Sequence, residues 1–368
     1  MSEDSKNILA PLYARMSITP QSPKWHGEGD VLTHTKMVCN TLRSFLEFHD
    51  LSYRQRGILY LAAKLHDIGK IEVTKDLSGE IEAPNHAPIG SRMARGLLWR
   101  HGFCGEQNLI DIRETVCQLI RYHSFPPHAI DSDDAVLRLH RIAANSLLLP
   151  DFSIRLLCML AKADMKGRIC DDKSLMLEQI ALCEELAIDE KCIDRCFRFP
   201  SDYTMRAYLK GCDVWKNQML YDDTWGTVYM MSGLPGTGKD TWIRQNLPDI
   251  PMVSLDEIRH ERKILPTDNQ GLVANLAKEQ AKEHLRKRQS FVWNATNLTP
   301  AMRQQLISLF EGYKARVNII YLEADWQTLL ERNRSREDAV PQSAIESMLG
   351  KLTPPEAYEA AQVDWISV

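Results

Sequence analysis

The sequence predicts two domains: an all-α helical bundle, then an α/β domain built on a parallel sheet. Three observations carry this. At 368 residues the chain is long enough for two separate cores. The first half shows apolar residues at three- and four-residue steps and almost no strand-type runs. After Trp225, short β-type runs alternate with helical segments, which is βαβ order.

The helical segments are Asp30–Glu47, Tyr53–Leu65, Gly90–His101, Ile110–Tyr122, Ala135–Ser146 and Ile154–Lys166. The β-type runs are Thr227–Ser232, Met252–Leu255, Phe291–Thr296 and Val317–Glu323. These place the first domain at 1–205, a linker at 206–223 and the second domain at 224–368. Net charge is −4 and the pI about 6.3, so a nucleic-acid partner needs a local basic patch rather than a basic chain. No apolar run is long enough to cross a membrane, and the first residues lack the pattern of a signal peptide. The nine cysteines are scattered before residue 213, which predicts reduced thiols in the cytoplasm.

The strongest local signal is a phosphate-binding loop at Gly233, Leu234, Pro235, Gly236, Thr237, Gly238, Lys239, Asp240 and Thr241. A β-type run leads in and a helical segment leads out. Glycines let several backbone N–H groups converge on one anion, and the helix N-terminus adds its positive end. Lys239 then places a charge on the β- and γ-phosphates of a nucleotide. One position departs from the motif. Asp240 stands where a Ser or Thr usually holds Mg²⁺. The blander alternative is a Gly-rich turn before a helix.

Nine of the eleven histidines lie between His26 and His140. His66-Asp67 sits at the end of a helix whose buried face is Leu61, Ala62 and Leu65. A buried His–Asp pair is costly unless both groups are partnered or bind a metal. Candidate co-ligands are His34, His86, His123 and Asp164, one per helix, in the manner of metal centres inside helical bundles. Imidazole and carboxylate together suit Mn, Fe, Co, Ni or Zn. Two readings stand for Lys70: a contact to a substrate phosphate, or a solvated helix-end lysine.

Asp256 follows the second β-type run, near the phosphate-binding loop in this topology. It can take a proton from an attacking hydroxyl, or it or Ser254 can simply cap the next helix. Arg259 lies on the same helical face and can hold a substrate phosphate. Arg332, Arg334 and Arg336 crowd a short segment before Val340-Pro341. They read as a lid that neutralises developing charge, or as a solvated charged helix.

His34, His66-Asp67 and Asp164 resemble the H…HD…D signature of the HD phosphohydrolase superfamily. The stretch Trp25–Thr35 is similar to the HD domain attached to bacterial tRNA nucleotidyltransferases. The resemblance implies an HD-type bundle in which His34, His66, Asp67 and Asp164 hold one metal. Asp67 then bridges to a second metal on His86 and His123, and the pair acidifies a bound water. The later motifs resemble the P-loop 5′-OH polynucleotide kinases: the loop, Asp256-x-x-Arg259, and Arg332-Asn-x-x-Arg336 before Val-Pro. That implies Asp256 as general base, Arg259 on the acceptor phosphate, Arg332 and Arg336 on the donor phosphates, and ATP or another NTP with Mg²⁺. Asn294 departs from this group, which often has an aspartate there. The HD-then-kinase order resembles the bacterial HD-Pnk family of RNA end-healing enzymes. It implies RNA ends as substrates with DNA ends as a second class, a separate ligase acting afterwards, and no membrane.

Two other functions fit parts of the sequence. One is a nucleotide phosphohydrolase fused to a small-molecule or nucleoside kinase. The other is a nucleotide-sensing or RNA-binding module without catalysis.

Overall fold

A computed structural model describes residues 3–77, 80–265, 268, 270–336 and 338–368, with the side chains of 3–8 left aside. The chain divides into two compact units: Met1–Phe103 with Asn108–Arg198, and Phe199–Val368 with Cys104–Gln107.

The first unit is helical. Its elements are α1 (Glu3–Met16), α2 (Val31–Ser44), α3 (Leu46–Asp50), α4 (Tyr53–Leu65), α5 (Lys70–Val73), α6 (His86–Arg100), α7 (Gln107–Tyr122), α8 (Ala135–Ala143), α9 (Ile154–Gly167) and α10 (Lys173–Asp189). Their starts are written in the sequence. Asp30 caps α2 by accepting from Thr33 N, Ser52 and Gln55 form a capping box on α4, and Ser153 caps α9. Helix α2 packs on α4 and α9, and α9 packs on α10. Val38, Leu42, Leu59, Leu157 and Leu160 are buried in this bundle. Each such side chain contributes roughly 1.5–3 kcal/mol over an exposed one.

Helix α6 begins at His86, four residues earlier than the apolar pattern suggests, because polar His86 opens its first turn. Gly69 permits this start. A Cβ there would lie 2.0 Å from the His86 carbonyl oxygen, so only glycine lets α6 approach the His66-Asp67 corner. A short antiparallel hairpin, β1 (Lys75–Leu77) and β2 (Glu80–Glu82), lies just before α6.

The second unit opens with α11 (Asp202–Leu209), so position 205, where the sequence pattern ended the first domain, falls inside a helix. There follow β3 (Trp225–Ser232), α12 (Lys239–Asn246), β4 (Met252–Ser254), α13 (Leu255–Arg262), α14 (Gln270–Arg286), β5 (Phe291–Asn294), α15 (Pro300–Gly312), β6 (Ala315–Glu323), α16 (Trp326–Arg334), α17 (Gln342–Lys351) and β7 (Gln362–Ser367). The five strands make one parallel sheet in the order β4-β5-β3-β6-β7. Met231, Ile243, Val292, Ile320 and Leu322 form a buried cluster between α12 and the sheet. The carboxyl ends of β3, β4 and β5 therefore share one edge, where ligands bind in such sheets. No helix among the described residues is long and apolar enough to cross a membrane.

Candidate functional site

In the first unit the six predicted ligands come together. His34 comes from α2 and Asp164 from α9. His66 and Asp67 leave the end of α4. His86 opens α6, and His123 follows α7. Asp164 Oδ1 lies 3.0 Å from His34 Nε2, and Asp67 Oδ2 lies 3.3 Å from His66 Nε2. The other oxygen, Asp67 Oδ1, lies 3.4 Å from His86 Nε2 and 3.8 Å from His123 Nε2. His34, His66, Asp67, His123 and Asp164 are all buried, and His86 nearly so.

The imidazoles share one orientation. His66 Nδ1 donates to Ala63 O at 2.9 Å, His86 Nδ1 to Ala83 O at 2.9 Å, and His123 Nδ1 to Ile120 O at 2.7 Å. A carbonyl only accepts, so Nδ1 carries the proton and Nε2 presents a lone pair. His34 Nδ1 is turned to Glu28 Oε1 at 2.7 Å. The inward Nε2 atoms then face each other: His34 and His66 at 3.3 Å, His86 and His123 at 3.4 Å. Paired lone pairs and a buried Asp67 Oδ1 that accepts no hydrogen bond are what divalent cations satisfy. Two overlapping groups, His34-His66-Asp67 and Asp67-His86-His123, have ligand atoms close enough to hold one ion each. The donor set therefore fits a two-metal centre bridged by Asp67.

The two carboxylates dominate the electrostatics. Burial opposes charge on His66, but Asp67 and Asp164 outweigh it and raise its pKa. Burial pushes His123 down to about 3, helped by His66 and His86. Asp67 and Asp164 stay well below the usual carboxylate range: burial opposes this, but Lys70 holds Asp67 ionised and Arg168 holds Asp164.

Lys70 is buried, so the solvated-lysine reading is set aside. Its ammonium lies 2.8 Å from Asp67 Oδ2, 2.5 Å from Gln21 Oε1 and 3.3 Å from His26 Nε2. Two further residues escaped the sequence reading. Glu28 takes His26 Nδ1 at 2.9 Å besides His34, and accepts from Ile169 N. Arg168 grips both oxygens of Asp164, at 3.0 and 2.6 Å. The i,i+4 spacing of Asp164 and Arg168 was a findable signal. Glu28 lies in a turn, where no periodicity points to it.

In the second unit, the loop between β3 and α12 has three glycines in the left-handed region: Gly233, Gly236 and Gly238. A Cβ on Gly233 would meet Leu322 O at 2.5 Å, so a larger residue would push the loop off β6. Lys239 folds back, donating to Gly233 O at 3.1 Å and Leu234 O at 2.9 Å. Burial pushes its ammonium down to about 8, with Asp240 and Asp256 acting against this and Arg336 with it. Leu234 and Thr237 are buried, and Thr237 Oγ1 closes the turn on Leu234 O at 2.9 Å. Thr241 is exposed on α12. Asn297, left-handed at φ 45, ties the loop after β5 to β3 by donating to Met231 O at 2.7 Å.

Ser254, not Asp256, caps α13 by accepting from Glu257 N. Asp256 is free of capping and 71% exposed at its side chain. Arg259 binds its Oδ1, and Arg336 stands 3.9 Å from its Oδ2. Arg259 also donates to Gln270 Oε1 at 2.7 Å. Arg332 extends toward the loop, its Nη1 3.5 Å from where a Gly238 Cβ would stand. The buried Asn333 pins the following segment, donating to Val340 O at 2.7 Å and accepting from Val340 N at 3.1 Å. Arg332 and Arg334 lie on the last turn of α16 and Arg336 just beyond it, so the arginine segment is part helix and part tethered loop. Asn294 donates to Asp240 Oδ1 at 2.6 Å.

Comparison with known proteins finds two family models, one after the other along the chain. The HD domain family model matches residues 31–151, and an AAA domain model, AAA_33, matches residues 228–355. The first match contains His34, His66, Asp67, His86 and His123, and the second contains the loop, Asp256, Asn294 and the arginine segment. A candidate kinase from Chloroflexus aurantiacus, known from a 1.70 Å crystal structure, is 16% identical over 39% of this chain and 86% of its own, with a TM-score of 0.34.

Proposed function

We propose that this chain, an HD phosphohydrolase domain followed by a P-loop kinase-like domain, heals broken RNA ends. The kinase domain would phosphorylate 5′-OH ends with ATP or another NTP. The HD domain would remove 2′,3′-cyclic phosphate, 2′-phosphate or 3′-phosphate. One observation carries this reading: a single chain holds one site suited to placing a phosphoryl group and another suited to removing one. Ends broken by transesterification need both changes before a ligase can join them. DNA ends are a further possible substrate class, and a separate ligase is the partner in function. All nine cysteines are free thiols, which fits a reducing cytoplasm.

In the kinase step, the 5′-hydroxyl oxygen attacks the γ-phosphorus, the bond to the β–γ bridging oxygen breaks, and the nucleoside diphosphate leaves. Asp256 takes the hydroxyl proton. Lys239 and the loop N–H groups hold the donor phosphates. Arg332 and Arg336 neutralise charge as it develops. Arg259 binds both Asp256 and the acceptor phosphate in turn.

In the HD step, water adds to phosphorus, one P–O bond to the ribose breaks and the water's proton passes to the ribose oxygen; a cyclic phosphate needs two such rounds, the second releasing inorganic phosphate. His34, His66, Asp67 and Asp164 would hold one divalent ion, and Asp67, His86 and His123 a second. When bound, such ions clamp phosphate oxygens and make water more acidic. Lys70 keeps Asp67 ionised, and it would meet the substrate phosphate by giving up a neighbour such as Gln21.

The test is a 5′-OH oligonucleotide ending in a 2′,3′-cyclic phosphate, incubated with ATP, Mg²⁺ and a transition metal. Both ends are read out. Gain of 5′-phosphate and loss of the cyclic phosphate are expected. Turnover of free nucleosides and nucleotides, with no change at either oligonucleotide end, would replace this reading with the metabolite-kinase one. The net charge of −4 is the observation that keeps that alternative in view.

A further inference from the structure

The phosphate-binding loop departs from its motif at Asp240, and β5 departs from the kinase pattern at Asn294. These positions lie 54 residues apart, and they touch. Asp240 is in the first turn of α12, immediately after Lys239, where a hydroxyl commonly meets the cation that accompanies a nucleotide. Asn294 is the last residue of β5, at the sheet edge where the ligand binds. Asn294 donates to Asp240 Oδ1, and no hydrogen bond reaches Oδ2 among the described residues.

An exposed carboxylate next to a triphosphate is repelled unless a cation lies between them. The surroundings add to this. Burial and then Asp240, Glu261 and Asp256 raise the pKa of Glu257, so these carboxylates share one neighbourhood. Lys239 is already committed to the loop carbonyls, and Arg259 and Arg336 face Asp256 rather than Asp240. A hard cation prefers carboxylate oxygen, and the Asn294 amide fixes which oxygen of Asp240 is left for it.

Building on the kinase reading above, we infer that Asp240 is the protein's ligand to the divalent cation that accompanies the nucleotide, and that Asn294 is its positioning residue. The carboxylate expected on the strand stands on the helix instead, and an amide takes its place on the strand. The site keeps one carboxylate and moves it across the hydrogen bond.

The test uses the full chain and measures ATP binding by calorimetry, once with Mg²⁺ and once with a chelator. In the unsubstituted protein Mg²⁺ tightens binding. Asp240→Asn keeps shape and the hydrogen bond to Asn294 but removes the anionic oxygen. Loss of about 10–100-fold in the Mg²⁺ enhancement is expected, as for other changes around a metal ligand. Metal-free ATP affinity holds or rises, because a negative charge is gone. Asn294→Ala loses part of the same enhancement. The exchange Asp240→Ser with Asn294→Asp restores it, and each of those single changes does worse than the pair. An Asp240→Asn protein with unchanged Mg²⁺ enhancement overturns the inference, as does an exchange no better than its worse single change. If ATP does not bind the unsubstituted protein at all, the kinase reading itself fails and this inference falls with it.

Discussion

Asn294 donates to Asp240 Oδ1 at 2.6 Å, so the two places where the kinase-like domain leaves its expected pattern are one feature. Exchanging the expected residue at one position alone disturbs the other. Asn294→Asp by itself would set two carboxylates in contact, and each would resist the other's ionisation. Asp240→Ser by itself would leave the site with no carboxylate at either position.

The two activities are expected to separate by mutation. Asp67 is the one carboxylate shared by both histidine pairs, with Oδ2 toward His66 and Oδ1 toward His86. Asp67→Ala should abolish removal of 3′-end phosphate and leave 5′-phosphorylation near its original rate. Assaying both ends with the one variant checks this. A folded variant that loses both activities would mean that Asp67 serves more than the HD site.

The two sites are expected to differ in metal preference. The HD donors are imidazole nitrogens and carboxylates, which favour a transition ion, whereas the kinase-like site offers oxygen to a hard cation. Stripping the protein with a strong chelator and returning only Mg²⁺ should restore 5′-phosphorylation but not 3′-end hydrolysis. Adding Mn²⁺, Co²⁺ or Ni²⁺ should bring back the second. Full hydrolysis in Mg²⁺ alone, with transition metals shown absent by elemental analysis, would contradict the assignment.

Much of this was legible in the sequence. His34, His66, Asp67, His86, His123 and Asp164 stand out because each sits on or beside a helix with a clear apolar face. The loop from Gly233 to Thr241 stands out because its glycines and Lys239 have fixed spacing. Glu28 was hidden because its partners, His26 and His34, reach it through a turn that has no period. Strand β7 (Gln362–Ser367) was missed because only one of its residues, Val363, is buried, which leaves no apolar run to read. The hairpin of β1 and β2 has three-residue strands that are almost wholly exposed, below what alternation can reveal. The contact between Asp240 and Asn294 depends on strand order, which no local pattern contains.

The first unit should depend on a buried ion triad. Glu114 accepts from Arg95 at 2.9 and 2.7 Å and from Arg113 at 2.7 Å, with all three residues buried. Burial opposes the charge of Glu114, but the two guanidinium groups hold its pKa below the ordinary 4.5. Glu114→Gln removes the carboxylate that two buried cations share and should cost about 3–5 kcal/mol near neutral pH. A depressed carboxyl pKa contributes stability above the unfolded value and loses it as pH falls through the folded one. The gap between variant and original should therefore narrow below pH 4.5. Denaturant unfolding at several pH values measures it.

Asp256 gives the sharpest test of the kinase assignment. The capping alternative assigned it a purely structural task, but Ser254 performs that task, accepting from Glu257 N at 3.3 Å. Asp256 is left exposed between Arg259 and Arg336. Asp256→Asn keeps its size and can still accept from Arg259. It removes only the basic oxygen. As general base, Asp256 should be worth about 10²–10⁴ in the rate of phosphoryl transfer. Thermal stability should hardly change, because no helix cap is lost. ATP affinity should also hold, since Lys239 and the loop N–H groups carry it. Single-turnover transfer to a 5′-OH oligonucleotide measures the chemical step apart from product release. A rate within a few-fold of the original would remove Asp256 from the catalytic role. A large rate loss with unchanged ATP binding would establish it, and Arg259→Ala should then weaken oligonucleotide acceptors more than bare nucleosides, because its proposed partner is the acceptor phosphate.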